Sequence, residues 1–148
     1  MIYIGSDHQG YETKGKIVSF LESAGFEVED LGPHEYIKTD DYPDYAFAVG
    51  EKVADDAAGK GILICGSGIG ITIAANKVKG IRAAYVESIE HAVKSREDDD
   101  ANILVLDNMT FDPSKDFAVI EAWLNTDFTG EERHLRRINK IREYEADR

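Results

Sequence analysis

Apolar residues along this chain fall into two alternating patterns, short continuous runs and longer stretches with helical spacing. Ile2 to Ser6 forms the first run and ends in a Gly-Ser-Asp turn. Ile17, Val18, Phe20, Leu21 and Ala24 then recur at the spacing of one helix face, and Gly25 supplies the stop. Phe26 to Leu31 reads as a second strand, which completes a strand-helix-strand unit. A loop of turn formers and aromatic residues runs from Gly32 to Pro43, before Tyr45, Ala46, Ala48, Val49, Val53 and Ala54 predict another helix. Gly61-Ile62-Leu63-Ile64-Cys65 is uniformly apolar, as a central parallel strand covered on both faces must be. Gly66-Ser67-Gly68-Ile69-Gly70 breaks it sharply, and a helix over 69–77 follows. Alternation continues with a strand over 81–86, a helix over 89–95, a strand over 103–106 and a helix over 114–124. The tail over 131–146 is charged and helix-prone, with Leu135, Ile138, Ile141 and Tyr144 as its apolar stripe, and that stripe needs a covering surface.

Five strands alternating with helices predict an α/β fold of three layers, α/β/α, with a five-stranded parallel sheet of Rossmann-like type and right-handed crossovers. The chain of 148 residues fits one domain, 1–148, with the helical tail as its last element. No internal repeat, linker or low-complexity segment divides it. Ligands of such sheets bind beyond the carboxyl ends of the strands, so residues in the loops there deserve first scrutiny.

Charge narrows the possible partners. A net charge of -12 repels phosphate backbones, which argues against a nucleic-acid partner, and no apolar run approaches a membrane span. The single cysteine cannot form an internal disulfide, and Met1 runs straight into Ile2-Tyr3-Ile4-Gly5 without a signal-like segment, so a cytoplasmic location is expected. Basic groups do concentrate locally, in Arg133-His134-Leu135-Arg136-Arg137, where Arg133 and Arg137 share one helix face and suit a phosphate. The same residues also fit a solvated face that offsets Glu131 and Glu132.

Two clusters fall at carboxyl ends of predicted strands, Ser6-Asp7-His8 and Cys65 to Gly70. A third, Arg96 to Asn102, precedes its strand. Glycines in the second cluster let the backbone approach a ligand while successive N–H groups point at negative charge, so an anion or oxyanion fits there; a plain strand-to-helix turn fits as well. It is not a dinucleotide fingerprint, since position 71 is Ile71, and it lacks both the Gly-Lys-Ser/Thr of a phosphate loop and the closing arginine of a cysteine phosphatase. Cys65 reads either as a buried apolar residue or as a general base whose thiolate is favoured by neighbouring N–H donors. Asp7 and His8 are adjacent on an extended segment and point oppositely, so they are not a hydrogen-bonded dyad. Four histidines and one cysteine, at scattered positions, form no spaced ligand set, and neither metal nor cofactor is predicted.

These motifs resemble, in order, those of the type B ribose-5-phosphate isomerase and galactose-6-phosphate isomerase family: Gly5-Ser6-Asp7-His8, Asp41-Tyr42-Pro43, Gly61 through Ile71, Ala74-Ala75-Asn76-Lys77, Gly80-Ile81-Arg82-Ala83-Ala84, Ala101-Asn102 and Arg133-His134-Leu135-Arg136-Arg137. The resemblance spans nearly the whole chain. It implies a homodimer or dimer of dimers whose active sites are shared by two subunits, and a metal-independent aldose-ketose isomerase acting on a phosphorylated sugar. By the same resemblance Cys65 is the base between C2 and C1. The main chain of Gly66, Gly68, Ile69 and Gly70 steadies the enediolate, and Ser67 bonds the C1 and C2 oxygens. Asp7 binds near the ring oxygen, and His8, Arg133 and Arg137 hold phosphate, the arginines from the partner.

Two departures bear on the substrate. Asp98 and Asp99 stand where the family usually has His-Asn, the histidine serving ring opening; they are carried here as substitute catalytic and binding residues. Asp107-Asn108-Met109 stands where many relatives have Gly-Gly-Arg or Gly-Ser-Arg with a phosphate-binding arginine. A 6-phosphohexose isomerase or a sugar-phosphate-binding module that no longer turns over are therefore alternatives to a pentose isomerase. A thiol-dependent hydrolase is a weaker one, since no histidine neighbours Cys65 in sequence.

Overall fold

The computed structural model describes residues 1–148 as a parallel sheet flanked by helices. In chain order the elements are β1 (Ile2–Ser6), a single 3-10 turn (His8–Gly10), α1 (Tyr11–Ser23), β2 (Val28–Asp30), α2 (Tyr42–Asp55), β3 (Lys60–Cys65) and α3 (Ile69–Ala75). There follow β4 (Ala83–Tyr85), α4 (Ile89–Glu97), β5 (Ile103–Asp107), α5 (Pro113–Leu124) and α6 (Glu132–Ala146). The expected three-layer α/β/α fold is present, and every predicted strand and helix has its counterpart. Differences lie at the ends: β2 and β4, on the two edges, keep only three residues each, because an edge strand has one ladder rather than two to extend it.

Strand order is β2-β1-β3-β5-β4, all neighbours parallel. The chain leaves β1 toward β2 and returns across β1 to β3, so the winding reverses between β1 and β3 and opens a crevice beyond their carboxyl ends. Side-chain alternation along the strands divides the core in two. Ile4, Ile62, Ile64 and Leu104 face α1, α4 and α5, where Trp123, Ile17 and Leu21 are fully buried. Leu63, Cys65, Ile103 and Val105 face α2 and α3, packing on Val49, Val53, Ile71 and Ala75. Both faces of β3 are thus covered, which is why its sequence shows no polar alternation.

Of the tail's apolar stripe, Ile138 is buried, while Leu135, Ile141 and Tyr144 stay exposed. On α3, Ile69 and Ile73 are 61% and 58% exposed at successive turns of one face. No helix is long and apolar enough to cross a membrane.

Candidate active site

At the crevice, β1 and β3 deliver Asp7 and Cys65 side by side. The Asp7 main chain extends the ladder by donating to Ile64 O at 3.3 Å. Its carboxylate then caps the 3-10 turn, accepting from the N–H groups of Gln9 (3.0 Å) and Gly10 (3.2 Å). Burial pushes the Asp7 carboxyl above its ordinary range, and those N–H groups with His8 only partly offset it. His8 turns the other way, as the extended geometry requires. Its Nδ1 lies 2.7 Å from Asp40 Oδ1, which also accepts from the His8 main chain (2.9 Å), leaving Nε2 as the free ring nitrogen.

Tyr45 donates to the other Asp40 oxygen at 2.9 Å. Burial and this bond push the Tyr45 phenol up to about 12, so it remains a donor. Asp40 and Tyr45 escaped the sequence reading, because the histidine that Asp40 holds lies thirty-two residues from it and Tyr45 joins only through Asp40. The neighbouring Asp41-Tyr42-Pro43 motif was the only local signal of them.

Cys65 Sγ accepts from the Gly68 N–H at 3.2 Å, and the residue is 4% exposed. Burial pushes the thiol above its ordinary value; the N–H groups of Ile71, Gly68 and Ser67 pull it back, while the Asp7 charge adds to the rise. This corrects the expectation of a favoured thiolate. The N–H donors are present as expected, but the loss of water around the sulfur outweighs them.

The glycines differ from expectation too. A Cβ on Gly66 would collide with the Gln9 amide, one on Gly70 would meet the Tyr42 ring at 2.5 Å, and one on Gly68 would meet the Tyr85 ring at 2.7 Å. Gly68 also adopts a φ of 76°, a left-handed conformation that glycine takes without strain. Each glycine therefore admits a protein side chain against the loop, not only a ligand. Ser67 and Ile69 lie at the exposed rim, with Ser67 Oγ accepting from the Ile69 N–H at 3.2 Å.

The remaining predicted site residues lie at the opposite end of the sheet. Asp98 and Asp99 precede β5, at the level where Gly61 pairs with Ile103, and Cys65 pairs with Asp107 about 13 Å further along the strands. His134, buried, places Nε2 3.3 Å from Asp98 Oδ1. The Thr129 N–H donates to Glu97 O at 3.3 Å, which ties the start of α6 to this end. Arg133 and Arg137 are exposed there, Arg133 held by Glu131 at 3.0 Å. One chain therefore does not bring Asp98, Asp99, Arg133 and Arg137 to Asp7, His8, Cys65 and the Gly66–Gly70 loop.

A hollow of about 450 Å³ also lies at this far end, lined by Lys60, Arg82, Arg96, Asp100 and Arg142 among others. Asp100 pairs with Arg82 (3.1 Å) and Arg96 (2.9 Å), and both guanidinium groups also cap main-chain carbonyls, so these cations serve the loop before β5. No group of three or more His, Cys, Asp or Glu side chains converges to hold a metal.

Known proteins match this architecture along its length. The model of the Ribose/Galactose Isomerase family matches residues 2–141. A probable ribose-5-phosphate isomerase B of Mycoplasma pneumoniae is 42% identical over 147 residues, covering 99% of this chain and 96% of the relative. Among solved structures, ribose-5-phosphate isomerase B of Mycoplasma genitalium with bound ribulose-5-phosphate superposes with a TM-score of 0.94 at 43% identity, covering 99% of this chain and 97% of that one. The enzyme of Clostridium thermocellum gives 0.93 at 44% identity, with the same coverage.

Proposed function

The chain belongs to the ribose/galactose isomerase family, and within it we propose that it interconverts ribose 5-phosphate and ribulose 5-phosphate with Cys65 as the base. The observation that carries this reading is the Cys65 sulfur at the β1/β3 crevice with the main-chain N–H groups of Ser67, Gly68 and Ile71 directed at it. The relative solved with ribulose-5-phosphate shares this fold almost completely.

In the proposed reaction the Cys65 thiolate takes the C2 proton of the open-chain aldose, and the electron pair moves through C1 onto O1. N–H groups of the Gly66–Gly70 loop hold the resulting cis-enediolate, as donors preset for a developing oxyanion do. Sulfur returns the proton to C1 while the O2 hydroxyl passes its proton to O1 by way of Ser67 Oγ, so that C2 becomes the carbonyl. Asp7 binds beside the ring oxygen, and the free Nε2 of His8 faces the phosphate. Because burial raises the thiol, kcat/KM climbs with pH through the neutral range as the sulfur ionises.

A site shared between two copies is part of this reading. Arg133, Arg137, Asp98 and Asp99 reach a phosphate and sugar only if a second copy presents its far end to this crevice. The exposed Ile69 and Ile73 of α3 and the uncovered Leu135, Ile141 and Tyr144 supply apolar surface for such pairing. Asp98, standing where the family resemblance expects the ring-opening histidine, favours a second reading, a 6-phosphohexose as substrate, and Met109, 77% exposed after β5, offers no charge to the phosphate of either sugar.

Cys65→Ala is expected to fold normally and to lose turnover by about a thousandfold, within the range for a general base. Exchange of the C2 proton in heavy water, measured on a panel of pentose and hexose phosphates, reports both the base and the substrate. Turnover of the alanine variant near the wild-type rate would remove the thiol from the reaction. Proton exchange by the wild type on none of the sugars would favour a binding module.

A further inference from the structure

Tyr85 and Asp107 stand on the same face of the sheet as Cys65. Asp107 is the register partner of Cys65 across β3 and β5, Tyr85 is the partner of Val105, and alternation puts Val105, Asp107 and Tyr85 on the side of α2 and α3. Asp107 is a carboxylate where the family resemblance leads one to expect glycine, and it is only 8% exposed. Its charge is met from two sides. Tyr85 Oη donates to Oδ2 at 2.7 Å, and Thr110 donates its N–H to Oδ1 at 2.6 Å with its hydroxyl 2.9 Å from either oxygen.

The Tyr85 ring fixed by this bond is the group that occupies the space beside Gly68. Gly68 in turn is the residue whose left-handed conformation aims its N–H at the Cys65 sulfur. The residues after Asp107 strap the other side of the same loop: the Asn108 N–H lies 2.9 Å from Cys65 O, and the Met109 N–H lies 3.1 Å from Gly66 O. Thr13 Oγ1 completes the strap by donating to Asn108 Oδ1 at 2.6 Å. Burial, Asp107 and Glu87 all push the Tyr85 phenol upward, so it stays protonated and donating throughout the working range.

We propose that Tyr85, anchored by Asp107, is a positioning residue for the isomerisation, holding Gly68 so that its N–H meets the Cys65 sulfur and the loop's donors face the enediolate. Tyr85 makes no hydrogen bond to the sulfur; it acts through the Gly68 backbone against which its ring lies. The proposal rests on Cys65 being the base.

The lone cysteine makes the test direct, since any thiol alkylation reports on Cys65 alone. The Tyr85→Phe variant keeps the ring and loses the hydroxyl with its contacts to Asp107 (2.7 Å) and to the exposed Glu87 (2.9 Å), and Glu87→Gln serves as the control that keeps the Asp107 bond; Tyr85→Leu loses ring and hydroxyl alike. With iodoacetamide, the pH midpoint of alkylation is expected to rise by about half a pH unit in Tyr85→Phe and further in Tyr85→Leu, as a weakened bond to the thiolate requires. The kcat of Tyr85→Phe falls about threefold to tenfold with KM within about twofold, a fraction of what losing a whole oxyanion donor costs.

A Tyr85→Phe variant with unchanged midpoint and kcat overturns the proposal. So does a kcat loss that follows a lowered melting temperature while the midpoint stays put, since that marks packing alone. If Cys65→Ala keeps turnover, the reading of the base fails separately; the alkylation midpoint then still decides whether Tyr85 governs the sulfur.

Discussion

The two ends of the sheet are built differently. At the carboxyl end, the chemistry-bearing groups are buried, His8 only partly, and each has a partner within the chain: Asp7 on the 3-10 turn, His8 on Asp40, Cys65 on Gly68 and Asp107 on Tyr85. At the amino end, Arg133, Arg137 and Asp99 are exposed, while Asp98 pairs with the buried His134. In the proposed reaction the first end supplies the base and the oxyanion donors, with His8 alone turned toward the phosphate. The second has the exposed Arg133 and Arg137 and the Asp98–His134 pair, but no thiol. On the proposed reading each is half of a site, and a twofold pairing that sets unlike ends together would complete two sites at once.

The sharpest way to break this comparison is complementation. Cys65→Ala is dead by loss of the base, and the Arg133→Ala/Arg137→Ala double variant is expected to lose more than about a hundredfold in kcat/KM through lost charge-assisted phosphate bonds. If the two ends meet across a twofold, unfolding and refolding the variants together restores about a quarter of wild-type activity, because half the pairs are mixed and each holds one intact site. No recovery in a mixture shown to exchange subunits would mean that the arginines serve the chain that carries them.

A smaller effect distinguishes roles within the amino end. Ribose 5-phosphate is a closed furanose, whereas ribulose 5-phosphate, its 5-hydroxyl esterified, is open. If Asp98 assists ring opening, with His134 holding it at 3.3 Å, Asp98→Ala slows the aldose direction about tenfold and the ketose direction much less. Initial rates measured from each side check this. Equal losses in both directions would assign Asp98 to binding or to the proton transfer itself.

What could be read from residues alone divides along the same line. Period and punctuation were enough for the elements: the run from Gly61 to Cys65 could only be a covered parallel strand, and the Gly66–Gly70 break had to turn at its carboxyl end. The opposite directions of Asp7 and His8 followed from strand geometry and hold in the structure. Contacts between distant segments were not legible. Nothing near His8 points to Asp40, and nothing near Gly68 announces Tyr85, because these pairs arise from strand order and loop packing. The Cys65 thiol shows a further limit: its N–H donors are local and could be inferred, whereas its burial is a property of the whole α2 and α3 layer, and burial decides the outcome.

The smallest expected effect tests how firmly the carboxyl end is prearranged. Asp40 accepts from the His8 main chain, the His8 ring and the Tyr45 hydroxyl, and although burial works against it, these bonds hold its carboxyl below the ordinary carboxylate range. A carboxylate with a depressed folded pKa contributes stability that is fully present above its unfolded value, about 3.9, and is lost as pH falls through the folded one. Asp40→Asn is therefore expected to cost about 1–2 kcal/mol at pH 7, the worth of charge-assisted bonds in a side chain mostly out of water. That deficit stays constant down to about pH 5 and narrows below about pH 4, where the wild type loses the same contribution. Denaturant melts at several pH values measure it, and steady-state kinetics at neutral pH accompany them. A His8 that needs Asp40 for its orientation raises KM for the sugar phosphate several-fold, on the order of 1 kcal/mol of lost phosphate binding, while kcat barely moves. A deficit that persists undiminished at pH 3 would show that Asp40 acts by shape and not by charge, and the carboxyl end would then owe its order to packing alone.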